Sequence, residues 1–188
     1  MPTIITRGSV SARAYGFGAA IKNVQNIYTN NVGSSTVSKI TSAGVVTATW
    51  ATVGANPYGI AIDSSGNVYT VNSGANTVSK ITPAGVVTEP WATLGASPSG
   101  IAIDSSGNVY TANTVANTVS KITPAGVVTA TWAAVGTYAN PYGIAIDSSG
   151  NVYTANYGAS TVSKITPAGV VTIAWATLGT GPYGIAIY

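Results

Sequence analysis

The chain has 188 residues, a net charge of +3 and only 6% charged residues. It contains no His and no Cys, which excludes the commonest general base, thiolate nucleophiles and soft-metal ligands. Three of its four acids, Asp63, Asp104 and Asp147, recur at one place in successive repeats, so the composition predicts a protein that is not an enzyme and has no metal and no cofactor.

Residues 1–25 differ in composition from the rest of the chain. The net positive charge comes from Arg7, Arg13 and Lys22, because the other four Lys balance the four acids. The segment lacks the apolar run of a secretory signal peptide, and no part of the chain approaches the roughly 18 apolar residues of a membrane helix. Three charges are also fewer than a nucleic-acid-binding arm carries. We therefore predict no membrane and no nucleic-acid partner, and we predict that this segment attaches the protein to a larger protein assembly through those three side chains.

A unit of about forty residues recurs four times in the rest of the chain. Its tryptophans are 41, 41 and 43 residues apart, at Trp50, Trp91, Trp132 and Trp175. Repeats of roughly 40 to 45 residues with short apolar runs between turns are typical of β-propeller blades. We predict an all-β fold in which residues 26–188 form a β-propeller of four four-stranded antiparallel blades.

The second repeat predicts the four strands of one blade. Alternating apolar residues and β-forming residues occupy residues 58–63, 67–71, 77–82 and 86–91. Asp63 and Gly66 are placed for a type I turn between the first two strands, and Pro83 fixes φ in the turn between the last two. Because Pro90 cannot donate a hydrogen bond to a neighbouring strand, the fourth strand is predicted to be the outer edge of the blade.

The Trp side chains end the fourth strands of the repeats. We predict that they pack between blades, where large aromatic side chains contribute most to stability. The alternative is a ring of four Trp side chains on which a ligand stacks.

Residues 183–188, Y-G-I-A-I-Y, repeat the text of a first strand. Residues 14–19 are only a weak version of that text. We therefore predict that residues 183–188 complete the first blade beside residues 27–30 and close the ring. A neighbouring chain could receive this strand instead, which would give a homo-oligomer. A β-solenoid of the same repeats is a further alternative.

The repeat text itself resembles a known family. Residues 141–156 read P-Y-G-I-A-I-D-S-S-G-N-V-Y-T-A-N, and T-V-S-K-I-T-P-A-G follows after a short loop. This text resembles the NHL-type repeat and is especially similar to the repeats of streptogramin lyase-like (virginiamycin B lyase-like) propellers, over residues 26–188. Such lyases use a catalytic His with nearby acids and a magnesium ion, and they usually have more than the four repeats found here. Because this chain has no His, the resemblance implies the scaffold and not the activity.

Residues 7–18, R-G-S-V-S-A-R-A-Y-G-F-G, resemble the Gly-rich openings of some bacteriophage tail and virion proteins. This resemblance implies a virion or extracellular location that is reached without a secretory signal peptide. A neutral surface fits the same interpretation, because crowded cytosolic proteins normally limit self-association by charge.

Two groups of loops vary between repeats, whereas the D-S-S-G-N and T-P-A-G turns are nearly constant. The variable loops follow the second strands or link successive blades, and both groups emerge on the same face of an up-and-down blade. Variation on one face of a constant scaffold is typical of a binding surface, although tolerant loops also drift. We predict that this face carries the ligand-binding residues, which are Asn56, Tyr58, Asn72, Asn113, Tyr138, Tyr142, Asn156, Tyr157 and Tyr183.

Two functions follow as hypotheses. The first is a structural or adhesive propeller displayed on a larger assembly, typically a phage virion or tail. The second is a lectin-like module that binds a cell-surface glycan, because Tyr rings cover apolar C–H faces and Asn amides meet hydroxyls. The three D-S-S-G-N turns supply one carboxylate each, too few for a cation site, and are predicted to be structural.

Overall fold

The computed structural model describes residues 19–22 and 26–188 of the chain. These residues form four antiparallel sheets of four strands each. In every sheet the strands lie side by side in chain order, so each sheet is a simple meander. The all-β fold with four four-stranded blades that the sequence predicts is therefore confirmed.

Each blade takes its strands from consecutive parts of the chain. Blade 1 consists of β1 (Ala19–Lys22), β2 (Asn26–Asn31), β3 (Thr36–Thr41) and β4 (Val46–Thr52), with a 3₁₀ turn at Val32–Ser34. Blade 2 consists of β5 (Pro57–Ile62), β6 (Val68–Asn72), β7 (Thr77–Ile81) and β8 (Val87–Thr93). Blade 3 consists of β9 (Pro98–Ile103), β10 (Val109–Asn113), β11 (Thr118–Ile122) and β12 (Val128–Ala134). Blade 4 consists of β13 (Pro141–Ile146), β14 (Val152–Asn156), β15 (Thr161–Ile165) and β16 (Val171–Thr177).

An Asp side chain holds the turn between the first two strands of a blade. In blade 2 the Gly66 N–H donates to the Asp63 carbonyl at 3.1 Å, and Gly66 has a φ of 89°, which favours glycine. The Asp63 carboxylate accepts hydrogen bonds from the Asn67 N–H at 2.9 Å and from the Tyr69 hydroxyl at 3.1 Å. The equivalent carboxylates of blades 3 and 4 accept the same bonds. The predicted turn is present in all three repeats that carry its text.

The second predicted turn and the edge strand are also confirmed. The Gly85 N–H donates to the Thr82 carbonyl at 2.8 Å, which closes the turn that contains Pro83. Pro90 lies in β8, an outer strand of its sheet. An edge strand tolerates proline, since the missing donor removes no bond between two sheet strands.

Apolar side chains pack between successive blades in three clusters. Neighbouring residues of one strand serve different clusters: Val68 packs against blade 1, whereas Tyr69 packs against blade 3. We call the side of a blade that packs against the preceding blade its leading face, and the side that packs against the following blade its trailing face. Each interior cluster therefore joins one trailing face to one leading face.

Three of the four Trp side chains pack between blades, as the sequence predicts. Trp50, Trp91 and Trp132 are partly buried against the clusters, and each ring lies 4.7 to 5.0 Å from a Tyr ring of its own blade. The turn of the following blade covers the indole: a Cβ built on Gly85 would lie 3.2 Å from the Trp50 ring nitrogen. Trp175 differs, since 54% of its surface is exposed.

The innermost strand of blade 1 is β1, at the position where the sequence predicts residues 183–188. Ile21 pairs with Ile27, in the same register that the first two strands of blade 2 adopt. The prediction that residues 183–188 complete blade 1 is therefore wrong. The physical reason is the path of the chain, because Ala19–Lys22 comes just before β2 in sequence and pairs with it as the neighbouring antiparallel strand. Blade 1 thus includes residues 19–22, which composition alone assigns to the segment 1–25.

The C-terminal segment, residues 181–188, lies beside blade 4. A Cβ built on Gly143 would lie 2.6 Å from the Tyr183 carbonyl oxygen and 3.1 Å from the Ile185 nitrogen, so only glycine permits this approach. Gly59 makes the same close approach to the first strand of blade 3. The C-terminal segment therefore occupies the place that the first strand of a following blade has elsewhere in the chain.

Candidate binding site

The two groups of variable loops meet at one end of the blades. The Ser73 N–H, in the loop after β6, donates to the carbonyl of Asn56, in the link before β5, at 2.9 Å. In blade 4 the Tyr157 N–H donates to the Asn140 carbonyl at 3.1 Å. These bonds confirm the prediction that both loop groups emerge on the same face.

Three tyrosine rings come together on this face. Tyr142 is the second residue of β13, Tyr157 follows β14, and Tyr183 lies in the C-terminal segment. The rings of Tyr142 and Tyr183 stack with centroids 4.3 Å apart and planes 25° apart. The Tyr157 ring meets both of them edge-on, at 5.6 and 5.9 Å. The fold therefore assembles three of the predicted ligand-binding residues.

Tyr58 joins these rings through its hydroxyl. The hydroxyl oxygens of Tyr58 and Tyr183 lie 2.9 Å apart, although 125 residues separate them in sequence. Burial, and then the hydrogen bond with Tyr58, raise the pKa of the Tyr183 hydroxyl. The phenol is therefore neutral at physiological pH and keeps its proton. We call Tyr58, Tyr142, Tyr157 and Tyr183 the tyrosine cluster.

The tyrosine cluster offers an apolar surface with polar edges. Tyr157 is the most accessible of the four, with 47% of its surface exposed, whereas the other three are half-buried. Rings that pack against one another lose little freedom when a ligand arrives, because their orientation is already set. The arrangement can cover one flat apolar face of a ligand and meet polar groups through its hydroxyls.

The three Asn residues that end the second strands lie inside the blades. Asn72, Asn113 and Asn156 are fully buried. In blade 3 the Asn113 amide donates to Thr118 Oγ1 at 3.0 Å and to Ser120 Oγ at 2.8 Å, and blades 2 and 4 contain the same bonds. The sequence prediction put these amides on the variable face. That placement is wrong, because each Asn is the last residue of a strand and its amide joins two strands.

The remaining predicted ligand residues, Asn56 and Tyr138, lie in exposed links between blades. Both have left-handed φ values, 52° and 58°. Tyr138 is 83% exposed, and no ring of the described residues packs against its ring. Tyr138 thus lies on the predicted face but outside the tyrosine cluster.

The acidic turns do not fit the magnesium site that the resemblance implies for the lyases. Asp63, Asp104 and Asp147 lie in three different blades, at the end opposite the variable loops. Both carboxylate oxygens of each Asp accept hydrogen bonds inside the turn. Although burial opposes this, the bonds from Asn151, Tyr153 and Ser149 lower the pKa of Asp147. Within residues 19–22 and 26–188, no three metal-ligating side chains come together.

The predicted attachment residues lie largely outside the described part of the chain. Arg7 and Arg13 are not described, and Lys22 is the last residue of β1, opposite Asn26. Their role in attachment stays a prediction. No helix among the described residues is long and apolar enough to cross a membrane.

Comparison with protein-family models matches residues 11–188 to the virginiamycin B lyase family. The chain belongs to this family. The resemblance carried by the repeats is thereby confirmed, whereas no match supports the resemblance of residues 7–18 to virion proteins. No curated protein is similar enough to this chain to count as a relative.

Solved structures share the fold at low sequence identity. Selenomethionine-substituted virginiamycin B lyase from Staphylococcus aureus is 21% identical with a TM-score of 0.72, and the match covers 82% of this chain and 53% of that one. A catalytically inactive variant of that lyase with quinupristin is 20% identical with a TM-score of 0.74, covering 90% and 56%. Hydrazine synthase from Kuenenia stuttgartiensis is 20% identical with a TM-score of 0.71, covering 79% and 45%. The matched part of this chain spans about half the length of these proteins.

Membership of the virginiamycin B lyase family contradicts the prediction that the protein is not an enzyme, because the family is named for an enzyme. The prediction rested on the absence of His and Cys. That absence excludes only mechanisms that need those side chains, whereas Tyr and carboxylate groups also act as general acids and bases. Composition was therefore too coarse a basis for excluding enzymes as a class.

Asn30 is a residue beside the tyrosine cluster that the sequence analysis did not single out. It lies in β2 at a position where the other blades have Val or Ala. Its Nδ2 donates to the carbonyl of Gly59, the residue after Tyr58, at 3.1 Å. Its Oδ1 is buried and has no hydrogen-bond partner among the described residues. An unpaired buried acceptor is unusual, and the departure from the repeat was the signal that could have revealed it.

Proposed function

We propose that this member of the virginiamycin B lyase family binds a carbohydrate at the tyrosine cluster. The observation that carries the proposal is the meeting of four tyrosines from β5, β13, the loop after β14 and the C-terminal segment on the variable face. Ligand sites combine aromatic walls with a few fixed polar groups, and this cluster has both.

The chemistry of the cluster supports a sugar over a charged ligand. The cluster consists of four phenols and contains no acidic or basic side chain, and burial raises the pKa of the Tyr183 hydroxyl. Sugars present apolar C–H faces with hydroxyls around them, so an exposed ring such as Tyr157 can cover a face while neighbouring phenols bond to hydroxyls. The unpaired Asn30 Oδ1 could accept a further hydrogen bond from a ligand or a buried water.

A glycan array tests the proposal. We expect the folded 188-residue protein to retain a defined class of glycans, and we expect Tyr157→Ala to weaken retention at least about tenfold, since loss of a central aromatic side chain typically costs more than about 1.4 kcal/mol. Tyr138→Ala is the matched control, because Tyr138 is exposed on the same face but outside the tyrosine cluster. Equal loss in both variants, or no glycan bound at all, would remove the proposal.

Virginiamycin B, the compound in the family's name, provides the competing test. It is incubated with the protein and followed by chromatography. If this compound is bound or converted at the tyrosine cluster while no glycan is retained, the ligand is of that class and the carbohydrate proposal is wrong.

We further propose that the propeller is displayed on a larger assembly, such as a virion, through residues 1–25. The supporting observation is the distribution of charge. Lys80 lies over the rings of Tyr69 and Trp91 at 5.5 and 5.7 Å. Lys121 and Lys164 lie over a Tyr and a Trp in the same way, and Lys39 lies over Trp50, so each of these cations packs onto its own blade. The other four Lys balance the four acids, so Arg7, Arg13 and Lys22 account for the net charge of +3.

Removal of residues 1–18 tests this second proposal, because β1 stays in the chain. The shortened protein should keep its β-sheet circular dichroism spectrum and should be lost from particles purified from the producing cells. Unchanged incorporation into those particles would exclude attachment through the N-terminal segment.

A further inference from the structure

We propose that Asn30 is a positioning residue of the tyrosine cluster, which holds the first strand of blade 2 where the Tyr58 hydroxyl reaches Tyr183. Two observations support it: the Asn30 amide bonds to the residue after Tyr58, and the same amide carries an unpaired buried acceptor. The effect of Asn30 on ligand affinity rests on the carbohydrate proposal. Its effect on the cluster itself can be tested without a ligand.

Asn30 stands at a position that is apolar in the other three blades. Its counterparts pair with the third strand of their own blades in the same register, and they are Val71, Ala112 and Ala155. All three are buried, and Val71 and Ala112 pack in the clusters between their own blade and the next. This position of the repeat therefore faces the following blade.

The Asn30 side chain joins blade 1 to blade 2. Its Nδ2 donates to the Gly59 carbonyl at 3.1 Å, and Gly59 lies in β5 directly after Tyr58. Val and Ala side chains cannot donate, so blades 2, 3 and 4 have no counterpart of this bond. Gly59 also lies against blade 3, since a Cβ built on it would lie 2.5 Å from the Ser99 carbonyl oxygen. The backbone next to Tyr58 is thus held from both neighbouring blades.

The oxygen of the Asn30 amide shows that this residue is not the most stable choice. Oδ1 is buried and has no hydrogen-bond partner among the described residues. An unpaired buried acceptor destabilises a fold, whereas Val or Ala at this position would bury no polar atom. Stability alone therefore favours the residues that the other repeats have. Such departures from the rules of folding are expected at functional sites, and Asn30 lies beside the tyrosine cluster.

The Tyr58 hydroxyl is the group of the cluster that depends on the position of β5. Its oxygen lies 2.9 Å from the hydroxyl oxygen of Tyr183. Hydrogen bonds between hydroxyls extend over only about 2.5–3.0 Å, so a small shift of the strand breaks this contact. Tyr183 in turn stacks on Tyr142 with centroids 4.3 Å apart. A residue that fixes β5 therefore acts on the arrangement of the stacked rings.

Asn30→Val, which gives blade 1 the residue of blade 2, tests the effect on affinity with the glycan that the array retains. We expect a dissociation constant at least about fivefold higher than that of the wild type. Stability should be no lower, because the variant removes the unpaired acceptor, and Gly100, the counterpart of Gly59, already faces a Val. Wild-type affinity in this variant would overturn the proposal.

Val119→Ala is the control for a change in stability alone. Val119 is completely buried in β11, a strand that carries no residue of the tyrosine cluster. Its truncation should lower the stability of the protein, since it leaves a cavity in the core, and should leave glycan affinity unchanged. The pair of variants therefore separates positioning of the cluster from general loosening of the fold.

A double-mutant cycle on unfolding tests the role of Asn30 without a ligand. Tyr58→Phe removes the hydroxyl that meets Tyr183. If Asn30 acts through this hydroxyl, the effects of Asn30→Val and Tyr58→Phe on the unfolding equilibrium constant should depart from additivity by at least about threefold. Asn30→Val with Tyr138→Phe is the control pair and should be additive, because Tyr138 lies outside the tyrosine cluster.

The cycle and the affinity measurement distinguish this proposal from the carbohydrate proposal. Additive effects of Asn30→Val and Tyr58→Phe would overturn the positioning role, whatever the affinity. Coupled effects in a wild-type protein that retains no glycan would support the positioning role and remove only the carbohydrate proposal. Coupled effects together with weaker glycan binding in Asn30→Val support both.

Discussion

Single residues that depart from the repeat reveal what the repeat normally does. Glu89 occupies the place of Ala48 and Ala130, and its carboxylate accepts hydrogen bonds from the hydroxyls of Thr77 and Ser79 and from a buried Asn amide. In blade 3, where Ala130 is present, the equivalent Ser donates to the Ala130 carbonyl at 2.6 Å. The Ser hydroxyl at this position therefore has two alternative acceptors within the same chain, a carboxylate in blade 2 and a backbone carbonyl in blade 3.

Glu89→Ala tests whether the carboxylate and the backbone carbonyl stabilise the blade equally as acceptors. Ser79 should turn to the carbonyl of residue 89, as the equivalent Ser does in blades 1 and 3. We expect the free energy of unfolding to change by less than about 1 kcal/mol, because Ser79 gains the carbonyl as a new acceptor and the Asn72 amide keeps its bonds to Thr77 and Ser79. Denaturant unfolding followed by Trp fluorescence measures the change. A loss above about 3 kcal/mol would show that blade 2 depends on the carboxylate itself.

At the scale of elements, sequence predicts the strands and turns well but not the segment that fills an inner edge. The repeat text predicts each four-stranded meander, the Asp-Gly turns and the edge position of Pro90, because these depend on local backbone preferences. Residues 18–21 and 184–187 both offer small and apolar residues that suit a first strand. Which of them pairs with β2 depends on the path of the chain, and local pattern does not contain that information.

The structure predicts an outcome for N-terminal deletions that sequence alone does not. Removing residues 1–22 takes away β1 and leaves the inner edge of β2 unpaired. Relative to removal of residues 1–18, this should cost about 2–4 kcal/mol of unfolding free energy, because a handful of ladder bonds are lost at roughly 0.5–1.5 kcal/mol each. Urea unfolding of the two shortened chains measures the difference. Equal stability would mean that β1 does not contribute to blade 1.

At the scale of the whole molecule, the sequence predicts where the loops lie, but it does not predict which side chains near them are exposed and which are buried. A meander places both variable loop groups at one end, and the backbone bonds between those loops confirm it. Tyr142 and Tyr157 then meet because they begin or follow strands of one blade. Asn156, adjacent to Tyr157 in sequence, is fully buried instead. Successive residues at a strand end point to opposite sides, so a shift of one position separates surface from interior.

The central claim is that the tyrosine cluster is the binding site of this family member. Isothermal titration of the glycan that the array identifies is the most direct test, with the wild-type protein, Tyr157→Ala and Tyr138→Ala compared at equal concentration. We expect measurable heat and one site per chain for wild type and Tyr138→Ala, and a dissociation constant at least about tenfold higher for Tyr157→Ala. Wild-type affinity in Tyr157→Ala, with the fold intact, would contradict the claim.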